Sequence, residues 1–139
     1  MSRLNIVVVE DNPGEVEILR HTLDQLSGDY ELTVLHDGAD GLKFVEDVRE
    51  VTRETHPCVV LLDINLPKHD GLEVLRAIRN EKSLDHIPVI MVAGMITPEQ
   101  RRQIVQMAAT YHPKPSDLKG YRELGTLIVD LCGTTAVAA

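Results

Sequence analysis

Pro57-Cys58-Val59-Val60-Leu61-Leu62-Asp63-Ile64-Asn65-Leu66-Pro67 decides the fold. Cys58 to Leu62 is an unbroken apolar run, with Val59 and Val60 β-branched. It meets a single carboxylate, Asp63, and then a loop marked by Pro67 and Asp70-Gly71. A short apolar run bounded by turn signals reads as a strand buried on both faces, as in a parallel sheet. Ligand sites in such a sheet lie at the carboxyl ends of the strands. Asp63 stands at that end, in position for chemistry.

Working outward, Leu4 to Val9 reads as a first strand that stops at Glu10-Asp11-Asn12-Pro13. Asn12 suits an N-cap and Pro13 a first helical position. Val16, Leu19, Leu23 and Leu26 then recur at helical spacing, and Gly28 is the expected stop. Tyr30 to Leu35 predicts the second strand. His36-Asp37-Gly38 turns into a second helix carrying Leu42, Val45 and Val48, with a long charged connection through Thr55. Pro57 to Leu62 is the third strand. Asp70-Gly71 precedes a third helix with Leu72, Leu75 and Ile78 inward. Ile87 to Ala93 is the fourth strand, with Pro88 tolerable only near its start. Thr97-Pro98-Glu99-Gln100 opens helix four as a capping sequence. Thr110-Tyr111-His112 is a short fifth strand. Lys114-Pro115 follows, then Ser116 or Asp117 as cap of a fifth helix with Leu118, Tyr121, Leu124, Ile128 and Leu131.

Five strands alternating with five helices predict an α/β fold with a parallel sheet, helices on both faces and right-handed crossovers. The strand order 2-1-3-4-5 is adopted as the usual one for this element count. The 139 residues fit one domain, placed at 1–132, with 133–139 expected as a flexible C-terminal tail. No stretch approaches the roughly 20 apolar residues of a membrane span. The first strand pattern begins at Leu4, which argues against a signal peptide. The two cysteines, Cys58 and Cys132, form no CxxC pair. That argues against a disulfide or a zinc site and for a reduced, cytoplasmic setting. A net charge of −8 with no basic stripe argues against nucleic acid as partner.

In this fold Glu10, Asp11, Asp63, Ala93 and Lys114 all fall at the carboxyl edge of the sheet. Crowded carboxylates repel unless a cation or proton intervenes. Oxygen donors without histidine or cysteine suit a hard ion such as Mg²⁺. A carboxylate beside such an ion can attack a phosphoryl group, a transfer that needs mainly positioning and charge neutralisation. The plainer roles are favourable charge at a helix N-terminus for Glu10 and Asp11, a strand-end cap for Asp63 and a solvated lysine at Lys114. The convergence of all four favours chemistry.

Glu10-Asp11-Asn12, Leu62-Asp63-Ile64-Asn65-Leu66-Pro67 and Lys114-Pro115, each at a strand end, resemble the response-regulator receiver domain, a flavodoxin-like (CheY-like) fold. Asp11-Asn12-Pro13 with Leu66-Pro67-Lys68-His69-Asp70-Gly71 further resembles the small stand-alone regulators that partner phytochromes. The resemblance implies a phosphoacceptor signalling protein of a two-component phosphorelay rather than an enzyme. Asp63 would accept phosphate from a sensor histidine kinase, with a bacteriophytochrome as candidate. Glu10, Asp11, Asp63 and the Asn65 backbone carbonyl would hold Mg²⁺. Lys114 would pair with the phosphoryl group, its bond to Pro115 being often cis in the family. Tyr111 matches the aromatic switch position. The surface of helix four, strand five and helix five would serve a partner or a homodimer.

Ala93 departs from the pattern, because the family carries Thr or Ser there. The missing hydroxyl bonds a phosphoryl oxygen, a contact of about 1.5–3 kcal/mol. That is as large as a typical allosteric coupling, about 1–3 kcal/mol. Two alternatives therefore stand beside the phosphorylated regulator. One is a degenerate receiver that binds partners without phosphorylation. The other is a haloacid-dehalogenase-type phosphatase with Asp63 as nucleophile, for which Asp63-Ile64-Asn65 lacks the second aspartate.

Overall fold

The three central strands are short, apolar and rich in branched residues, and each ends where a polar residue or a turn begins. The computed structural model describes residues 4–48 and 56–138. Its elements are β1 (Leu4–Val9), α1 (Pro13–Leu26), β2 (Tyr30–Leu35), α2 (Gly38–Val48) and β3 (Val59–Asp63), then α3 (Gly71–Asn80), β4 (Val89–Ala93), α4 (Pro98–Gln106), β5 (Thr110–Pro113) and α5 (Leu118–Ala138). The five strands pair in parallel in the order 2-1-3-4-5, the order adopted for this element count. The charged connection expected through Thr55 falls at 49–55, outside the described residues.

All five residues of β3 and all five of β4 are buried. Alternate side chains feed two cores, because successive residues of a strand point to opposite faces. Val7, Val9, Val60, Leu62 and Met91 meet α2, α3 and α4 on one face. Ile6, Val8, Leu61, Ile90 and Val92 meet α1 and α5 on the other.

The caps follow local chemistry. The Asn12 side chain accepts from the Gly14 and Glu15 amides, Asp70 from Glu73, and Thr97 and Gln100 form a reciprocal capping box. Asp117 takes the Gly120 amide at 2.8 Å and opens α5.

Four expectations change. Ser27, not Gly28, closes α1, sending its amide to the Leu23 carbonyl, and no described glycine has a left-handed φ. Helix α5 continues through Gly133 to Ala138, beyond the break expected for a tail. A glycine inside a helix costs only about 1 kcal/mol relative to alanine, and no proline follows to stop the turn. The Lys114–Pro115 bond is trans, since no described peptide is cis. Finally, Cys58 and Cys132 are joined in a disulfide across 74 residues, with Cα atoms 4.9 Å apart. The spacing rules that argued against it concern neighbours in sequence. Here the start of β3 and the far end of α5 meet through the fold, so the cysteines no longer support a reduced compartment.

Candidate functional site

Register places the site. Val9 pairs with Leu62, so Glu10 follows level with Asp63, the last residue of β3. Asp63 pairs with Val92. Ala93 pairs with Pro113, and the next amide, Lys114, donates to the Ala93 carbonyl at 2.9 Å. That bond sets the Lys114 side chain at the sheet edge, where Nζ lies 2.8 Å from Asp63 Oδ2. The other Asp63 oxygen, Oδ1, accepts the Asn65 amide at 2.9 Å. Asp63 is 4% exposed and Glu10 8%. Asp11 is exposed. One oxygen from each of Glu10, Asp11 and Asp63 lies within 4.8 Å of the others. Gly71 matters here because its amide bonds the Ile64 carbonyl at 3.0 Å, and a Cβ at that point would strike the Asp63 carbonyl oxygen. A side chain at 71 would push β3's end out of place.

The electrostatics follow from this crowding. Burial, and then the neighbouring Asp63 charge, push the Glu10 carboxyl up to about 8, with Lys114 pulling the other way. Burial works against the Lys114 ammonium. Its bond to Asp63, its ion-pair contact with Glu15 and the charges of Asp63 and Glu10 outweigh that and hold it above the ordinary lysine range. The cluster therefore has more negative charge than one lysine offsets, which is what a divalent cation relieves. All donors are oxygens, and Asp11 opens to solvent, so water can complete a shell. That donor set fits a hard ion of the Mg²⁺ or Mn²⁺ class.

The structure adds one residue that the sequence reading passed over. Glu15, from the first turn of α1, lies 3.1 Å from Lys114 Nζ. The only signal was its place three residues after the Asn12 cap, which by itself predicts a capping partner.

At Ala93 the side chain is buried and carries no hydroxyl. Its carbonyl accepts two donors, the Lys114 amide and the Tyr111 hydroxyl at 3.1 Å. The half-buried Tyr111 ring packs on the α2–α3–α4 core, with the Arg101 guanidinium 5.5 Å from its centroid. Tyr111 thus touches the strand end that positions Lys114. The six histidines join no metal-binding group among the described residues.

This arrangement has relatives. Response regulator Rcp1 of Synechocystis sp. is 36% identical over 87 residues, 63% of this chain and 59% of that protein, so the match spans less than two thirds of the relative. The Mn²⁺-bound structure of Rcp1 superposes with a TM-score of 0.73 at 27% identity, covering 90% of this chain and 91% of that one. The bacteriophytochrome response regulator AtBRR gives 0.71 at 27% identity, with 96% and 94% covered. The phosphorylated cyanobacterial phytochrome response regulator RcpA shares the fold, with a TM-score of 0.82 at 24% identity and 96% of each chain covered. The sequence profile of the response regulator receiver domain matches residues 6–123. With its acids and lysine set at the ends of β1, β3 and β5, the chain belongs to the response regulator receiver family of two-component signalling.

Proposed function

We propose that Asp63 is the phosphoacceptor, taking a phosphoryl group from the phosphohistidine of a cytoplasmic sensor histidine kinase. The observation that carries this reading is the Lys114–Asp63 contact of 2.8 Å beside a cluster of three acids. Glu10, Asp11, Asp63 and the Asn65 carbonyl would hold Mg²⁺, a choice supported by the oxygen-only donors and by the Mn²⁺-bound form of Rcp1. Bound there, the ion would neutralise charge on the transferring phosphoryl group.

The chain's own residues do the rest. An Asp63 oxygen attacks phosphorus as the phosphorus–nitrogen bond breaks. The bonding pair returns to the kinase imidazole, which takes up a proton, and Asp63 becomes an acyl phosphate. The Asn65 amide fixes the carboxylate's rotation through Oδ1. Lys114 shifts its ammonium from Asp63 to a phosphoryl oxygen, a charge-assisted contact. A kinase of the bacteriophytochrome kind is supported by the likeness to AtBRR over nearly the whole chain. The signal leaves through the surface of α4, β5 and α5, to a partner or a second copy, where Val105 and Leu118 are exposed.

A second reading rests on Ala93, whose side chain cannot bond a phosphoryl oxygen. It makes the chain an interaction module that works without phosphorylation. Intact mass after incubation with acetyl phosphate and Mg²⁺, with Asp63→Asn alongside, decides between them. A phosphate adduct on the wild type alone is the expected result. No adduct on folded, Mg²⁺-binding protein, with partner binding unchanged in Asp63→Asn, establishes the module instead.

A further inference from the structure

We propose that Glu15 is a positioning residue for Lys114, holding its ammonium in a shared seat so that it does not occupy the cation's place among the acids. The inference rests on the proposed metal-assisted site and deepens it.

Asn12 caps α1, so Pro13, Gly14 and Glu15 are the first three helical positions. A glutamate third in a helix commonly reaches back to the cap residue's own amide. Here that amide is already taken, because Asn12 donates to Glu10 Oε2 at 3.2 Å. Glu15 is thereby released from capping. Its Oε2 lies buried, 3.1 Å from Lys114 Nζ. The same Nζ lies 2.8 Å from Asp63 Oδ2 and 3.8 Å from Glu10 Oε1. One ammonium is therefore divided among three carboxylates, just after β1, at the end of β3 and in the first turn of α1, and only Glu15 stands outside the group that converges as cation donors.

This geometry has a consequence for charge. Without Glu15, Lys114 turns wholly to Asp63 and Glu10 and competes for the oxygens a cation needs. With Glu15, part of the lysine's charge is met elsewhere and Asp63 is less masked. Glu15 thus acts through Lys114, not as a ligand, and its effect must vanish when the lysine is gone.

A double-mutant cycle read by calorimetric Mg²⁺ titration tests this on the whole chain. Glu15→Gln is expected to weaken Mg²⁺ binding about fivefold, and to weaken it less than about twofold in a Lys114→Met background. Glu15→Asp keeps the charge but is one methylene shorter, and is expected to behave like Glu15→Gln. Equal losses in both backgrounds would make Glu15 an independent charge and overturn the inference. Unchanged or tighter binding in Glu15→Gln would overturn it too, as would full retention in Glu15→Asp. A wild type that takes up no Mg²⁺ sinks the metal-assisted reading itself, which separates that failure from this one.

Discussion

The two edges of the sheet are built on opposite terms. At the amino edge, loops that feed the strands are tied down. Cys58, just before β3, is bonded to Cys132 of α5. Arg79, at the end of α3, donates through Nε to the Met107 carbonyl and through Nη1 to the Ile87 carbonyl, both at 2.7 Å. It reaches the Asp85 and Ala108 carbonyls at 3.2 Å as well. Ala108 sits in the left-handed region at φ 54°, an uncommon setting for a residue with a Cβ. Tyr30, opening β2, ties to α1 through the Arg20 carbonyl and Asp24. At the carboxyl edge, by contrast, Glu10, Glu15 and Asp63 crowd one lysine, and Asp11 adds a fourth acid beside Glu10 and Asp63. The fold keeps its stability at the first edge and tolerates repulsion at the second. β3 joins the two, with a covalent tie before it and an acid at its end, so anchoring at one edge lets the other stay crowded with charge.

The largest effect expected is at the tied edge. A cross-link spanning 74 residues removes chain entropy from the unfolded state. In the chain-entropy description this contributes about 4 kcal/mol. Reduction, or Cys58→Ser, is expected to lower the unfolding free energy read from denaturant titration by that amount, moving the midpoint down, and to leave Mg²⁺ affinity at the opposite edge unchanged. Equal midpoints with and without reductant would remove the covalent part of the contrast.

How much of this was legible in sequence differs between the edges. The carboxyl edge was open to reading because it is local. Each acid or lysine follows directly on a strand pattern, and a parallel sheet brings strand ends together by rule. The caps at Asn12 and Thr97 were visible for the same reason, whereas the strand order came from the usual arrangement for this element count and the Asp70 cap from the structure. The amino edge was closed to reading because its ties are long-range. Nothing near Cys58 points to Cys132, and Arg79 reads as a surface residue of a helix end until its four carbonyls converge. Glu15 was missed between the two. Its spacing from Asn12 predicts a cap, and only the competing Glu10–Asn12 bond frees it. The stretch 133–139 reads as a tail because it lacks the charged face of the preceding helix, whereas α5 runs on to Ala138.

A smaller effect of opposite sign sharpens the contrast. Glu10 is buried beside Asp63, and its carboxyl is pushed up to about 8, chiefly by burial and then by that neighbouring charge. Glu10→Gln removes a charge that the metal-free fold disfavours. In the presence of chelator the variant is expected to be more stable than the wild type by roughly 1–2 kcal/mol. With Mg²⁺ the order is expected to reverse, since the wild type alone keeps all three carboxylates. Thermal melts with and without Mg²⁺ check both halves. A variant less stable than the wild type under chelation would show that the carboxyl edge is not held against repulsion.

The smallest effect concerns Tyr30 and carries a pH signature. Its hydroxyl donates to Asp24 Oδ1 at 2.6 Å or to the Arg20 carbonyl at 3.0 Å. Burial, followed by the Asp24 hydrogen bond and charge, pushes its pKa up to about 12 from an ordinary 10. A group whose pKa is raised by folding stabilises the fold fully below its unfolded value and loses that contribution as pH climbs to the folded one. The phenolate has no proton to donate and faces the Asp24 carboxylate. Tyr30→Phe is therefore expected to cost about 1 kcal/mol at neutral pH, one hydrogen bond's worth. The gap between wild type and variant should close between pH 10 and 12. A difference ultraviolet titration of the two proteins should place the Tyr30 transition near 12. A transition near 10 would mean that β2 and α1 are joined by packing alone, and the amino edge would then rest on the disulfide and Arg79.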